Sequence, residues 1–261
     1  MDNIYVSENA LRASGVLNVK QYGSKFKLTW NRSVRRKGYE RIDGEKVSPQ
    51  DEKDDLQDDI QEKLTQEKLS NNIARARSKV FEYAYCNEWD YFITLTIDGE
   101  KFGRYDLGAY IKALGKFINN YNTIYHTRVL YLFVPEYHKD KAWHMHGLIS
   151  GIRPEHIVIN KHGHLDFPKY ANKFGYCNIG TIDSHEGVSK YITKYISKDL
   201  ASRLFGQRLY YCSKGLKTAK LLYSFENVDS SFFEWDFEHE DGYCKTMMVD
   251  NLDCLANMTF I

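Results

Sequence analysis

The sequence predicts an α+β fold, a central antiparallel sheet of about five strands flanked by helices. Three observations carry that expectation. β-Branched and aromatic runs of strand length recur at residues 91–97, 129–134, 143–149 and 177–182. Between them, apolar residues recur at helical spacing over about Leu56 to Asn87, from Leu107 to Tyr121, and from Glu186 to Leu200. The second and third of the strand runs are joined by a short turn at Lys139-Asp140-Lys141, which predicts an antiparallel hairpin.

Taken in order, Leu17 and Val19, then Phe26, Leu28 and Trp30, alternate around Gly23-Ser24 and predict a hairpin. Residues 43–60 are polar and acidic, contain Pro49, and read as a linker or loop. The helical stretch that follows places Leu64, Ile73, Val80, Phe81 and Tyr85 near one face. Tyr91–Ile97 is a strand, and Asp106 is placed to cap a helix carrying Leu107, Ile111, Leu114, Ile118 and Tyr121. Residues 151–175 read as loop-rich, Cys177–Ile182 as a short strand, and Leu209–Ser213 as a last strand or edge. The resulting division is a basic hairpin segment over 1–46, an acidic linker and helix start over 47–70, a main domain over 71–225, and an acidic aromatic segment over 226–261.

Composition narrows the function. The chain has 261 residues, 43% hydrophobic and 15% aromatic, which suits one good core plus appendages. No apolar run reaches membrane-spanning length and Met1-Asp2-Asn3 does not open a signal peptide, so the cytosol is expected. Five cysteines, scattered and without a Cys-x-x-Cys pair, read as reduced thiols. The net charge of +1 does not advertise nucleic acid, but its distribution does. Arg32, Arg35, Arg36, Lys37 and Arg41 cluster near the start, and Lys190, Lys194, Lys198, Arg203, Arg208, Lys214, Lys217 and Lys220 cluster later, against few acids. A near-neutral total can hide a basic face.

The chemistry centres on Trp143-His144-Met145-His146-Gly147-Leu148-Ile149. On a strand, His144 and His146 point the same way, about 7 Å apart, and two neutral imidazoles so placed can close on one cation. On that motif alone, two hydrogen-bonded strand histidines would be the better reading. The company changes the balance: Phe92–Thr96 upstream, Pro135-Glu136-Tyr137-His138 on the preceding strand, and Tyr191-x-x-Lys194-Tyr195-x-x-Lys198 downstream. Tyr191 and Tyr195 are four apart and share a helix face. His162-Gly163-His164 is a rival His-x-His, but it sits among loop residues that would not fix the rings.

In that ordered set, roughly over residues 71–220, the chain resembles the HUH rolling-circle replication initiators of small phages and plasmids, above all those of filamentous-phage type. The resemblance implies an HUH-endonuclease, RRM-like sheet and a nicking and joining reaction. A tyrosine would become esterified to the 5′ phosphate and a 3′-OH would be left to prime synthesis. It implies Mg²⁺ or Mn²⁺ held by His144 and His146, with Glu136 as third ligand; His138 reads as a turn residue near enough to compete. Tyr191 is expected to attack first. Tyr195 is either a second nucleophile or a packing residue, and Lys194 and Lys198 are placed to hold phosphate or orient a phenol. Thr94, Thr96, Trp143, Lys190, Tyr211 and Lys214 are the expected DNA contacts; Thr94 and Thr96 would also shape the site. The expected partners are single-stranded DNA at an origin hairpin, with a host helicase and polymerase, in the cytoplasm of a bacterial host. No Gly-x-x-x-x-Gly-Lys-Ser/Thr stretch suggests a fused helicase. A transposase or relaxase with the same chemistry, or a non-catalytic DNA-binding protein, are the alternatives. A cupin-like oxygenase lacks its glutamate after the histidine pair, and a histidine-triad hydrolase lacks its third histidine, since Leu148 stands there.

Overall fold

Gly23, with φ of 58°, lets the chain reverse between two alternating runs. These become β1 (Ser14–Tyr22) and β2 (Lys25–Arg32), paired antiparallel with Leu17 opposite Trp30 and Val19 opposite Leu28. The computed structural model describes residues 14–32, 54–239 and 242–256. Arg35, Arg36, Lys37, Arg41 and the part of the expected linker over 43–53 lie outside the described residues.

The chain divides into two compact units, one of residues 1–50 with 218–261 and one of residues 51–217. In the first, both ends of the chain contribute to one sheet. The later residues supply β10 (Lys220–Asp229), β11 (Phe237–Glu238) and β12 (Cys244–Val249). With the first hairpin they form five strands in the order β10-β1-β2-β12-β11. The alternation that predicts the hairpin buries Leu17, Val19, Leu28 and Trp30 together with Val228 and Phe233. The Trp30 indole N–H, which would be costly to bury unpaired, donates to the Val228 carbonyl at 2.9 Å.

In the second unit a long helix α1 (Asp54–Cys86) precedes β3 (Tyr91–Ile97), α2 (Leu107–Tyr125), β4 (Leu130–Tyr137) and β5 (Trp143–Ser150). The β4–β5 hairpin forms as expected, and so does the cap, in which the Asp106 carboxylate accepts from the Ala109 N–H at 2.9 Å. Asp106→Ala is expected to cost about 1 kcal/mol, read as a lower denaturant midpoint at unchanged slope. Two short strands, β6 (Val158–Ile159) and β7 (Leu165–Asp166), pair inside the stretch read as loop, which also folds into α3 (Pro168–Phe174). Then come β8 (Gly175–Thr181) and, after the tyrosine segment, β9 (Tyr211–Cys212). The sheet therefore has seven strands, where about five are expected, in the order β6-β7-β8-β3-β5-β4-β9.

The single helix expected over 186–200 is broken into α4 (His185–Ile192), a 3-10 turn over Thr193–Tyr195, and α5 (Lys198–Arg203). Ser197 explains the break: its hydroxyl accepts from the Leu200 N–H, so it starts a new helix in place of continuing the old one.

Alternation in β3 and β5 assigns the two faces. Ile93, Leu95 and Ile149 pack with Leu114, Ile118 and Tyr121 of α2. Thr94, Thr96, His144 and His146 point to the opposite side. On that side α1 packs against α4 and α5.

Candidate metal centre and tyrosine pair

Register builds the site from three neighbouring strands. On β5, His144 lies opposite Thr96 and His146 opposite Thr94 of β3; from the other side, Glu136 of β4 lies opposite His144. The Thr94 Oγ1 is 3.1 Å from His146 Nδ1, and the Thr96 Oγ1 is 3.2 Å from His144 Nδ1. Each threonine thus holds one ring nitrogen and turns the other forward. The His146 Nε2 meets the Glu136 carboxylate at 2.6 Å. The threonines expected to touch DNA therefore act first on the imidazoles.

Two influences oppose each other at His146. Burial disfavours the imidazolium, while the adjacent Glu136 favours it; burial is the larger, and the pKa lies below the ordinary histidine value. His144 is lowered as well, by burial and then by the positive potential of His138 and His146. Both rings are therefore neutral at neutral pH, as ligands must be. The same shifts set a pH dependence. In the window just below the ordinary histidine pKa, the unfolded chain binds protons that these folded rings refuse. Stability from this pair is complete above that pKa and is lost as the pH falls toward the lowered folded values. Thermal scans between roughly pH 7 and 5 should show the loss, and it should shrink in His144→Gln with His146→Gln.

A second grouping abuts the first. The His138 ring stacks on His144 at 4.4 Å and 25° between planes. Ligand atoms of His138, Asp140 and His144 all lie within 4.8 Å of one another. Asp140 is held below the usual carboxylate range by the Ala142 N–H and by nearby cations, Arg104 first. In sequence, His138 and Asp140 read only as parts of a turn. The tightness of that turn, with Lys141 at φ of 66°, carries both back toward His144.

The tyrosines come from the α4 end. The Tyr195 ring stacks flat on His146, with centroids 4.0 Å apart and 12° between planes. Its hydroxyl is 2.9 Å from that of Tyr191. Burial raises the Tyr195 pKa, helped by its bond to Tyr191 and by the Glu136 charge. Tyr191 is 44% exposed, meets Phe92 edge-on at 5.4 Å, and has the Lys194 ammonium 5.4 Å from its ring centre. Arg77 of α1 anchors the segment, its Nε donating to the Ile196 carbonyl at 2.9 Å. Neither Arg77 nor Phe92 stands out as a site residue in sequence; only their shared face with the site residues would have marked them. Glu136, Tyr137, Tyr191, Lys194, Tyr195 and Ser197 line a cleft of about 350 Å³.

Other expected site residues lie apart. Lys198 is exposed at the start of α5 and is not part of the cleft lining. Lys190 is ion-paired with Glu186 at 2.8 Å. Trp143 is buried, donates its indole N–H to the Tyr105 carbonyl at 3.2 Å, and packs edge-on against Tyr137, which leaves it little face for a base. Tyr211 pairs across from Phe133 and packs with Ile111 and Leu114 on the α2 side of the sheet, away from the histidines. Lys214 is exposed beyond β9. His162 and His164 sit on the exposed β6–β7 turn.

Among the described residues, no helix is long and apolar enough to cross a membrane. No curated protein and no solved structure matches the chain. Residues 90–200 match the family model of the replication-associated protein ORF2, a match that takes in β3, both histidines, Glu136 and both tyrosines. That segment is a replication-associated domain of the rolling-circle-initiator type, as its histidines and tyrosines suggest.

Proposed function

We propose that the protein nicks and rejoins a single DNA strand through Tyr191, with a divalent cation held at the histidine strand. The observation that carries this is the juxtaposition of an exposed phenol, a second phenol stacked on His146, and a carboxylate bonded to that same imidazole. The Tyr191 oxygen forms a bond to the scissile phosphorus and the bond to the 3′ oxygen breaks. The phenolic proton departs to the neighbouring Tyr195 hydroxyl and onward to solvent, and the leaving 3′ oxygen takes a proton from water. Lys194, beside the Tyr191 ring, supports the phosphate charge. Rejoining is the same exchange reversed.

The donor set fits a cation. His144 and His146 are neutral at their Nε2 atoms, and Glu136 and Asp140 supply oxygen. Imidazole is a poor partner for Mg²⁺, so the mixed set favours Mn²⁺. When bound, the cation would polarise the scissile phosphate and lower the barrier to attack by a phenol. His144, His146 and Glu136 would hold it, with His138 and Asp140 at the His144 side. Replacing Thr94 by valine frees the His146 ring, and Mn²⁺ affinity should fall about 10- to 100-fold by calorimetric titration.

The partners follow from that reading: single-stranded DNA at an origin hairpin, and a host helicase and polymerase to extend the 3′-OH. The decisive test is a nicking assay on a single-stranded library with Mn²⁺, with adducts mapped by mass spectrometry. A DNA–peptide adduct at Tyr191 is expected. Cutting that persists in Tyr191→Phe with Tyr195→Phe would remove the proposal.

A further inference from the structure

A cavity of about 600 Å³ lies away from the histidines, between α1 and the segment leading into β9. Arg75 and Lys79 project into it from α1, four residues apart and so on one helix face. Arg208 faces them from the other wall, with Gln207 and Tyr210 beside it. No carboxylate lines the groove. Lys79 is shared with Glu82 at 3.1 Å, whereas Arg75 and Arg208 have no carboxylate partner among the described residues. Tyr210 is only partly buried and is backed by Tyr83, with ring centres 6.3 Å apart, so one aromatic face is braced from behind.

We infer that this groove is a second DNA subsite, taking the phosphates of a single strand between Arg75, Lys79 and Arg208 while a base stacks on Tyr210. Unpaired guanidinium groups across a groove match a chain of phosphodiesters, and an aromatic face beside them accepts any base. The groove is also placed for it. Arg77, which anchors the backbone after Tyr195, stands between Arg75 and Lys79 on α1. On the sheet, β9 joins β4 at Leu132 and Phe133, so the groove wall lies about 13 Å along β4 from Glu136. A strand entering the cleft at Tyr191 would reach the groove within a few nucleotides. The identity of that strand rests on the nicking proposal; the binding itself does not.

The test uses the full chain with Arg75→Ser and Arg208→Ser together, both on exposed side chains outside the cleft. Fluorescence anisotropy would follow a labelled single strand of about 30 nucleotides across a salt series. Loss of two phosphate contacts should lower affinity roughly tenfold or more at low salt and reduce the slope of log affinity against log salt by about 1.4. Photocrosslinking with iodouridine strands should mark Tyr210. Equal affinity and slope for parent and variant would overturn the subsite. So would inorganic phosphate or deoxyadenosine monophosphate occupying the groove while strand binding ignores the substitutions, which would make it a small-anion site. A protein that still cuts after Tyr191→Phe with Tyr195→Phe loses the nicking mechanism but keeps its salt-slope result, so the two failures are distinguishable.

Discussion

Tyr191→Phe is expected to lower the nicking rate on the order of 10⁴-fold or more, with strand affinity little changed, because it removes the attacking atom and little else. Tyr195→Phe is expected to cost far less, about 10- to 100-fold. The difference follows from surroundings. The Tyr191 phenol is the exposed one, at the cleft with Lys194 beside it, so a phosphate can reach its oxygen. The Tyr195 ring lies flat on His146, and burial raises its pKa, which makes its hydroxyl a poorer nucleophile but a competent proton partner for the one 2.9 Å away. Single-turnover cutting of a labelled strand in each variant would decide. If Tyr195→Phe proves the more damaging and the adduct maps to residue 195, the roles are reversed.

Gly147→Ala is expected to be the most destabilising small substitution in the unit, on the order of 3 kcal/mol. Gly147 follows His146 on the central strand and lies opposite Phe133. A β-carbon there would overlap the Phe133 ring and the Leu132 carbonyl. A ring tip could swing aside, but a carbonyl held in the ladder cannot move without parting β4 from β5. Since the same two strands carry Glu136 and His146, parting them would also loosen the 2.6 Å contact. A large drop in denaturant midpoint, accompanied by weaker Mn²⁺ binding, would mark both effects at once; a near-native midpoint would show that the strands accommodate the methyl.

The histidine strand, its hairpin partner and the Asp106 cap are legible in sequence because each rests on local spacing. Glu136 is within reach for the same reason, since a hairpin brings its strand ends together. What is not legible depends on distant segments or on competition between local preferences. β6, β7 and β9 are two residues each, too short for alternation to register. The expected long helix is apolar at helical spacing, yet the Ser197 hydroxyl displaces its continuation. Phe92 and Arg77 become site residues only once β3 and α1 flank the tyrosines. Trp143 shows the converse: an aromatic beside the motif is a tempting base platform, but its indole is engaged by the Tyr105 carbonyl.

The five-stranded sheet has a consequence for how the molecule is made. Trp30 is bonded to a carbonyl 198 positions later. On the ribosome, β1 and β2 emerge early and must wait as a bare hairpin for β10 and β12, while residues 51–217 hold their own strand partners and can fold first. Refolding should then show two phases, the faster restoring the histidine strand and the slower closing the sheet that joins the two ends.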